Sequence, residues 1–300
     1  MRIFFTTLLL STLAAAQAGS APPVPSTITT AATANPSDSE NAAKARALLD
    51  QAIAALGGEA YLTSQNLAEE GRWYTIYHGT SRGAGVQYRQ FRRFPEEDRL
   101  EIFGRGTVFI PLPLFGSVDI ITVSKKSKAE LIVVHNGNKG YEITNKGTSS
   151  QDKEELKAYL RRRQHSLDQV LKSWLKDSTM QYFYAGMAIV DGKPADPVTV
   201  LNKQNDGVTI YLDQNSHLPL KTSFLWRDPQ DKQKNVEEEI FDNYRLVQGV
   251  RTPFSITRTF NGETTHQRFI NIAKYYPTID DALFQATVDY DPAAPPPKKK

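Results

Sequence analysis

The first regular pattern along the chain is that of an amphipathic helix. Between Glu40 and Leu56, apolar residues recur every three or four positions. Ser39 can cap the start of this helix, and the pair Gly57-Gly58 can end it. From Leu67 onward the period changes to two, which is typical of β-strands. The sequence therefore predicts one helix followed by a series of strands.

The strand-like runs are separated by turn residues. Asn136-Gly137, Asp191-Gly192 and Asn261-Gly262 are examples, and the first pair is a strong signal for a β-hairpin. Runs that recur about every 8–15 residues between tight turns indicate an antiparallel meander. A second helix is predicted over Lys153–Lys176. Because two helices cannot cover both faces of so many strands, we expect an α+β fold. It would be a strongly curved antiparallel sheet, an open half-barrel, with the helices covering the concave face.

One basic residue interrupts the apolar side of the predicted second helix. Arg163 shares a helix face with Leu156, Leu160, Leu167, Val170 and Trp174. A buried guanidinium needs a carboxylate, carbonyl groups or an anionic ligand such as a lipid phosphate or a fatty-acid carboxylate. The alternative is that Arg163 reaches solvent beside Arg161 and Arg162.

The segment Thr107–Val123 is apolar, but Pro111 and Pro113 exclude a helix and a regular strand ladder there. Its apolar residues include Phe109, Ile110, Leu112, Leu114 and Phe115. Such a segment packs on the core as an ordinary loop, closes the mouth of a cavity, or contacts a membrane or a partner. The sequence leaves these three alternatives open.

The two ends of the chain define its organisation. Arg2, the apolar run Ile3–Leu13 and the small residues at Ala16–Ala18 form an export signal, so we expect cleavage after Ala18 and a periplasmic location. An uncleaved anchor is the alternative. Residues 19–39 predict a flexible Pro/Ser/Thr-rich linker, residues 40–291 a single domain, and residues 292–300 a disordered tail.

Composition excludes several classes of function. The chain has no Cys, so disulfides, zinc ribbons, thiol catalysis and a lipid-modified N-terminal cysteine are excluded. The formal charge is +3, but without Arg2 and Lys298–Lys300 the 36 basic residues become 32, against 33 acidic residues. This balance argues against nucleic-acid binding.

No pattern of catalytic or metal-binding residues stands out. Residues 79–83 match the G-x-S-x-G pattern of serine hydrolases, but they lie between two strand-like runs, whereas that active site needs a helix after the serine. The five histidines lack metal-ligand spacing. We interpret Glu237–Glu239 and Asp280-Asp281 as solvated positions. We therefore expect no enzyme, no cofactor and no metal site.

Three segments of the C-terminal half carry a family resemblance: Val208–Trp226 (VTIYLDQNSHLPLKTSFLW), Glu237–Glu263 (EEEIFDNYRLVQGVRTPFSITRTFNGE) and Phe269–Phe284 (FINIAKYYPTIDDALF). Their order of strand ends and turns resembles that of the periplasmic LolA-like outer-membrane lipoprotein-sorting proteins and their lipid-binding relatives. The resemblance implies a half-barrel with an apolar cavity that carries acyl chains or other hydrophobic molecules across the periplasm. Relatives with this fold also sense envelope stress or accompany outer-membrane machinery.

The function that the sequence favours is binding and transport of a hydrophobic ligand (a lipid, an acyl chain or a lipoprotein) in the cell envelope. The alternatives are a non-catalytic interaction or sensor module with the same fold, and a weak esterase acting through Ser81. The expected partners are the ligand and an envelope membrane or lipoprotein. The residues expected to line the apolar cavity are Trp73, Tyr88, Phe109, Leu112, Leu114, Phe115, Arg163, Phe224, Trp226, Ile240, Phe254 and Phe260.

Overall fold

Fifteen strands join into one antiparallel β-sheet in the computed structural model of the protein. The structure describes residues 39–81, 83, 85–104, 113–114, 117–118, 128–275 and 278–294. The predicted signal peptide, nearly all of the predicted linker and residues 295–300 of the predicted tail lie outside the described residues. So do Phe109, Leu112, Phe115 and the side chain of Leu114.

The first half of the sheet comes from the N-terminal part of the chain. The strands of this part are β1 (Asn66–Tyr77), β2 (Thr80–Ser81), β3 (Val86–Arg93), β4 (Glu97–Phe103), β5 (Pro113–Leu114), β6 (Ser117–Val118), β7 (Leu131–Asn136), β8 (Lys139–Thr144) and β9 (Gly147–Ser150). Strands β5 and β6 pair with each other as a separate ladder. The Asn136-Gly137 turn joins β7 to β8 in a hairpin, as predicted.

The second half of the sheet comes from the C-terminal part of the chain. Its strands are β10 (Gln181–Tyr184), β11 (Ala188–Val190), β12 (Lys193–Leu201), β13 (Gly207–Asp213), β14 (Pro219–Arg227), β15 (Lys234–Val247), β16 (Val250–Phe260) and β17 (Glu263–Tyr275). The order in the sheet is β10-β12-β13-β14-β15-β16-β17-β1-β3-β4-β7-β8-β9, with β11 on β12 and β2 on β1. The predicted antiparallel meander is thus present, and the described strands do not close into a barrel: β9 stands at one end, and β10 and β11 at the other.

The helices described are α1 (Ser39–Leu56), α2 (Glu59–Thr63), α3 (Lys153–Gln164), α4 (Leu167–Lys172) and two 3-10 turns, Trp174–Lys176 and Asp281–Phe284. Helix α1 matches its prediction to within one residue. At its end Gly57 has a φ of 129°, and a Cβ there would lie 2.3 Å from the Gly249 carbonyl oxygen, so glycine permits this close approach to the β15–β16 turn. Among the described helices, none has the length and apolar character needed to cross a membrane.

The prediction of one continuous helix over Lys153–Lys176 is wrong. The helix ends at Gln164, and a new one begins after Ser166, whose side chain accepts a hydrogen bond from the Gln169 amide at 3.3 Å. His165 stabilises the break, because its ring contacts the Arg161 carbonyl and the Asp206 carboxylate at 2.7 Å each. The apolar stripe that contained Arg163 is therefore divided among α3, α4 and a 3-10 turn.

The apolar core lies between the helices and one face of the sheet, which we call the helix side. Leu49 and Ala52 of α1 and Val170 of α4 are fully buried there. They pack with residues of β12 and β13, namely Val198, Val200, Val208, Ile210 and Leu212. The amphipathic pattern of α1 thus places this helix on the second half of the sheet.

Candidate functional site

Strand register brings charged and aromatic residues together on the helix side of β14–β17 and β1. Residues directly opposite each other on neighbouring strands share a face of the sheet. Three rows of such residues are Phe224–Glu237–Phe260, Glu239–Arg258–His266 and Ile256–Arg268–Trp73. Arg162 of α3 lines a small space together with Glu237 and Arg258, which places these rows next to the helices.

Helix α3 is attached to this surface through one carboxylate. Arg161 Nη2 lies 3.2 Å from Glu237 Oε1, and Arg162 Nη1 lies 3.6 Å from Glu237 Oε2. The indole nitrogen of Trp226 donates a hydrogen bond of 3.0 Å to Glu237, and the Arg161 guanidinium stacks 3.5 Å from the centre of the Trp226 ring. The interpretation of Glu237 as solvated is therefore wrong: its carboxylate is buried because it faces the helix that covers the strand.

Arg258 lies beside Arg162 on the same surface. Its Nη2 is 2.7 Å from Glu239 Oε1, while its Nε has no hydrogen-bond partner in the part of the chain that the structure describes. A cavity of about 10 Å³ is lined by both arginines and Phe224, and a space of this size holds roughly one water molecule. Burial and the neighbouring charge of Arg258 lower the pKa of Arg162.

Aromatic side chains continue the surface beyond the arginines. The rings of Trp73 and His266 meet edge to face with centroids 5.5 Å apart. Burial, together with the charges of the two arginines, lowers the pKa of His266 to about 4, so the ring is neutral at pH 7. Phe260 is 38 % exposed, and Trp73 and Trp226 are half-buried. We call this set the helix-side patch: Trp73, Arg162, Trp226, Arg258, Phe260 and His266.

A buried ion network borders the helix-side patch. Glu69 is 1 % exposed and lies 2.9 Å from Arg268 Nη1 and 3.5 Å from Arg92 Nη2. It also accepts a hydrogen bond of 3.2 Å from the Tyr88 hydroxyl, whose pKa is raised by burial and by Glu69 itself. Arg268 donates a second hydrogen bond, of 2.7 Å, to Gln90. Every charged atom of Glu69 is thus paired inside the protein.

The network continues to Asp98 on β4. Gln90 donates to both carboxylate oxygens of Asp98, at 3.0 and 2.8 Å. Burial raises the pKa of Asp98 to about 6, although the charge of Arg92 opposes the shift. Opposite Asp98 lies His135, which stacks on Tyr159 of α3 at 3.4 Å and whose pKa is lowered by burial to about 4. Helix α3 therefore contacts β7 as well as β15.

Arg163 is held by main-chain carbonyl groups. Its guanidinium donates to the carbonyl oxygens of Glu96 at 3.2 Å and Gly137 at 2.6 Å, and contacts the Asn138 side chain at 3.4 Å. Of the partners that the sequence left open, carbonyl groups are the ones present. These contacts tie α3 to the β3–β4 and β7–β8 turns, away from the helix-side patch.

Comparison with known proteins finds similarity of structure only. No known protein family matches the chain, and neither does any curated protein. The crystal structure of a DUF1329 family protein from Desulfovibrio piger is similar, with a TM-score of 0.53 and 11 % sequence identity over 80 % of this chain and 97 % of that one. A LolA superfamily protein from Nitrosomonas europaea has a TM-score of 0.46 and 10 % identity over 80 % of this chain and 97 % of that one.

The chain has a LolA-like fold. The resemblance predicted from the C-terminal sequence is thereby confirmed as a likeness of fold. At this level of identity the likeness concerns the backbone and carries no information about ligands.

The LolA-like sheet brings five of the predicted cavity residues to the helix side: Trp73, Tyr88, Phe224, Trp226 and Phe260. Arg163, also predicted to line the cavity, contacts the β3–β4 and β7–β8 turns and not this surface. Phe254 is buried beneath the Arg245 guanidinium, 4.4 Å from the ring centre. The contribution of all these residues to ligand binding stays a prediction.

Ile240 lies on the opposite face. It pairs with Lys221 and Thr257, and it lines a pocket of about 290 Å³ together with Val190 and Leu220. It therefore cannot share one surface with Trp73. The period of two gives the alternation of a strand but does not tell which face the helices cover.

Ser81 lies in a hairpin between two longer strands, as the sequence predicted. It lies in the short strand β2, and its hydroxyl donates to the Gly83 carbonyl at 2.9 Å. Strand β3 follows, whereas a nucleophilic serine of the G-x-S-x-G type stands at the start of a helix. Among the described residues, the pattern is therefore followed by a strand and not by a helix.

Proposed function

We propose that the protein is an exported binding protein that carries a hydrophobic ligand on the helix-side patch. The observation that carries this proposal is that Trp73, Trp226 and Phe260 are only partly buried on the face that the helices cover. Aromatic rings in this position offer apolar surface to a ligand. Each buried methylene contributes about 0.8 kcal/mol, so a chain of roughly 16 carbons supplies roughly 10 kcal/mol before association costs.

A strongly curved sheet is part of the proposal. Helix α3 contacts β7 through Tyr159 and β15 through Arg161, two strands that are six strand spacings apart. In a flat sheet, spacings of about 4.8 Å would separate these strands by about 29 Å, more than twice the diameter of a helix with its side chains, about 10–12 Å. The two contacts of α3 therefore favour a sheet that curls around it, as in a half-barrel with helices on its concave face.

The proposal places the protein in the periplasm and gives it a binding role. Residues 1–18 have the pattern of a cleaved signal peptide. The environment of Ser81 supports binding over ester hydrolysis, because its hydroxyl is engaged with a carbonyl group in a hairpin. The candidate partners are the ligand and the envelope membrane or lipoprotein that supplies or receives it.

A second candidate function is a protein-interaction module. At the open edge of the sheet, Met187 is 69 % and Ile189 is 63 % exposed, next to the pocket that Val190 and Leu220 line on the face opposite the helices. Exposed apolar residues beside an unpaired strand edge favour a partner protein. This surface lies at the β11 edge of the sheet, whereas the strand residues of the helix-side patch lie on β1, β14, β16 and β17.

Mass spectrometry of an organic extract tests the proposed function. The exported protein is purified gently and extracted, with heat-denatured and re-extracted protein as the blank. We expect a lipid or fatty acid in stoichiometric amount from the wild type, and a large loss in Phe260→Ser, because a hydroxyl replaces apolar contact surface in the patch.

Leu246→Ser is the matched control, since Leu246 is 63 % exposed at the far end of the β15–β16 hairpin. It should retain the ligand. An empty wild-type extract, together with one stoichiometric protein partner in a pull-down, would contradict the carrier proposal and support the interaction module.

A further inference from the structure

We infer that the ligand of the helix-side patch is an amphiphile with an anionic headgroup, which Arg162 and Arg258 bind while its apolar chain lies over Trp73 and Phe260. The inference rests on the proposed function and specifies the chemical class of its ligand. Four properties of the patch support it: net charge, unused hydrogen-bond donors, space and adjacent apolar surface.

The first property is an excess of positive charge. Arg161 and Arg162 share the single carboxylate of Glu237, at 3.2 and 3.6 Å, while Arg258 pairs with Glu239 at 2.7 Å. Among the described residues, three guanidinium groups thus face two carboxylates on this part of the surface. His266 adds no charge that would alter this balance at neutral pH, because its pKa is lowered to about 4. A partly buried, uncompensated cation is costly, and a bound anion offsets that cost.

The second property is donor capacity. The 3.6 Å contact between Arg162 and Glu237 is too long for a hydrogen bond, and no other described residue accepts one from Arg162. The Nε of Arg258 is buried and has no acceptor in the described ranges. Both guanidinium groups can therefore donate to an additional oxygen, and arginine is well suited to carboxylate and phosphate oxygens.

Space and apolar surface complete the arrangement. The cavity of about 10 Å³, which Arg162 and Arg258 line together with Glu237–Glu239, accommodates a single headgroup oxygen. Phe260 lies directly opposite Glu237, and Trp73 lies 5.5 Å from His266, the residue opposite Arg258. A small anion would use only the arginines, and a neutral hydrocarbon only the rings. A ligand with both an acidic head and an apolar chain uses the whole patch.

Matched pairs of ligands test this inference. The neutral probe N-phenyl-1-naphthylamine is bound to the full-length mature protein and displaced with tetradecanoate, tetradecyl phosphate or tetradecanol, which share one chain, and with acetate or inorganic phosphate, which lack it. We expect the two anionic amphiphiles to displace the probe at concentrations about tenfold lower than tetradecanol, a ratio typical of one charge-assisted interaction. Acetate and phosphate should have no effect at those concentrations.

Arginine variants locate the effect. Arg162→Gln and Arg258→Gln should each weaken displacement by tetradecanoate about tenfold and leave that by tetradecanol unchanged. Arg162→Gln loses a single long ion pair, so it keeps the test valid if Arg258→Gln folds poorly. The control is Arg251→Gln, which replaces an exposed arginine on the same strand as Arg258. This variant should behave as the wild type.

Each other outcome overturns the inference in a distinguishable way. Equal displacement by tetradecanoate and tetradecanol would refute the binding of an anionic headgroup but would not contradict the proposed function. Displacement by acetate or phosphate alone would show a small-anion site without a lipid. A probe that does not bind, or that no compound displaces, would refute the inference together with the proposed function.

Discussion

The helix side of the sheet contains two regions that are packed in different ways. Near α1 and α4 the strands present apolar residues such as Val200 and Ile210, which are fully buried. Near α3 they present the buried ion network around Glu69 and Arg268. Apolar packing depends on shape and burial alone, whereas each buried charge depends on its partner. Because a buried ion pair is weak evidence for stability, the contrast indicates that the first region contributes most of the stability of the fold, while the second makes stability depend on each charge keeping its partner.

The largest expected effect on the free energy of unfolding comes from breaking the ion network. Glu69→Gln keeps the size of the side chain but leaves Arg268 and Arg92 without their buried carboxylate. Removing one partner of a buried pair costs about 3–5 kcal/mol, so the free energy of unfolding, measured with urea, should fall by that amount. A loss below about 1 kcal/mol would show that this region behaves like exposed surface.

The double variant Glu69→Leu/Arg268→Met sharpens this result. It removes both charges of the pair and replaces them with apolar groups of similar size. It should be more stable than Glu69→Gln, because no unpaired guanidinium remains at position 268.

The next largest expected effect is a pH dependence of stability in the ionic region. The pKa of Asp98 is raised from 3.8 to about 6, so this carboxyl favours the folded state when it is protonated. Its contribution is present below about pH 4 and is lost as the pH rises through 6, a change of up to about 3 kcal/mol. Asp98→Asn should therefore gain stability relative to the wild type between pH 4 and 7 in urea unfolding.

His135 provides a control of opposite sign. Burial lowers its pKa from 6.5 to about 4, so its contribution is present above pH 6.5 and is lost as the pH falls through 4. His135→Gln should flatten the rise in stability over this range. If both variants followed the wild-type curve, neither group would be buried as described.

The smallest effect on the free energy of unfolding is expected from a substitution in the apolar region. Ile210→Val removes one methylene from a fully buried side chain on β13 and should lower the free energy of unfolding by about 1 kcal/mol at every pH. Ile189→Val, at a position that is 63 % exposed, should change it by less than about 0.5 kcal/mol. Equal losses in the two variants would contradict the placement of Ile210 in the core.

Local patterns predicted local structure well. The apolar spacing of α1 and the Asn136-Gly137 hairpin depend on contacts between near neighbours, which the sequence contains. The break at Ser166 was missed because apolar residues keep a helical spacing across it. The hydrogen bond between His165 and Asp206 that stabilises the break joins positions distant in the chain, so no local pattern predicts it.

The charged part of the site was missed for a related reason. In β15, Glu237, Glu238 and Glu239 follow one another, so the sequence offers no alternation that would assign one of them to a buried face. Only the register with β16 places Arg258 opposite Glu239, and only the position of α3 buries Glu237. Their pairing therefore depends on the assembled sheet.

The adjacency of β1 and β17 has a consequence for how the chain reaches its final form. Leu67 and Tyr275 are opposite each other, although their positions in the chain differ by 208. The two halves of the sheet are joined along this seam, so neither can complete its hydrogen bonding until the final strand has been made. The N-terminal strands are synthesised first. One edge of β1 therefore stays unpaired until β17 has been synthesised. Assembly of the sheet is thus a late event of high contact order, a property that slows folding, and until it happens β1 presents an open edge to which another chain can pair.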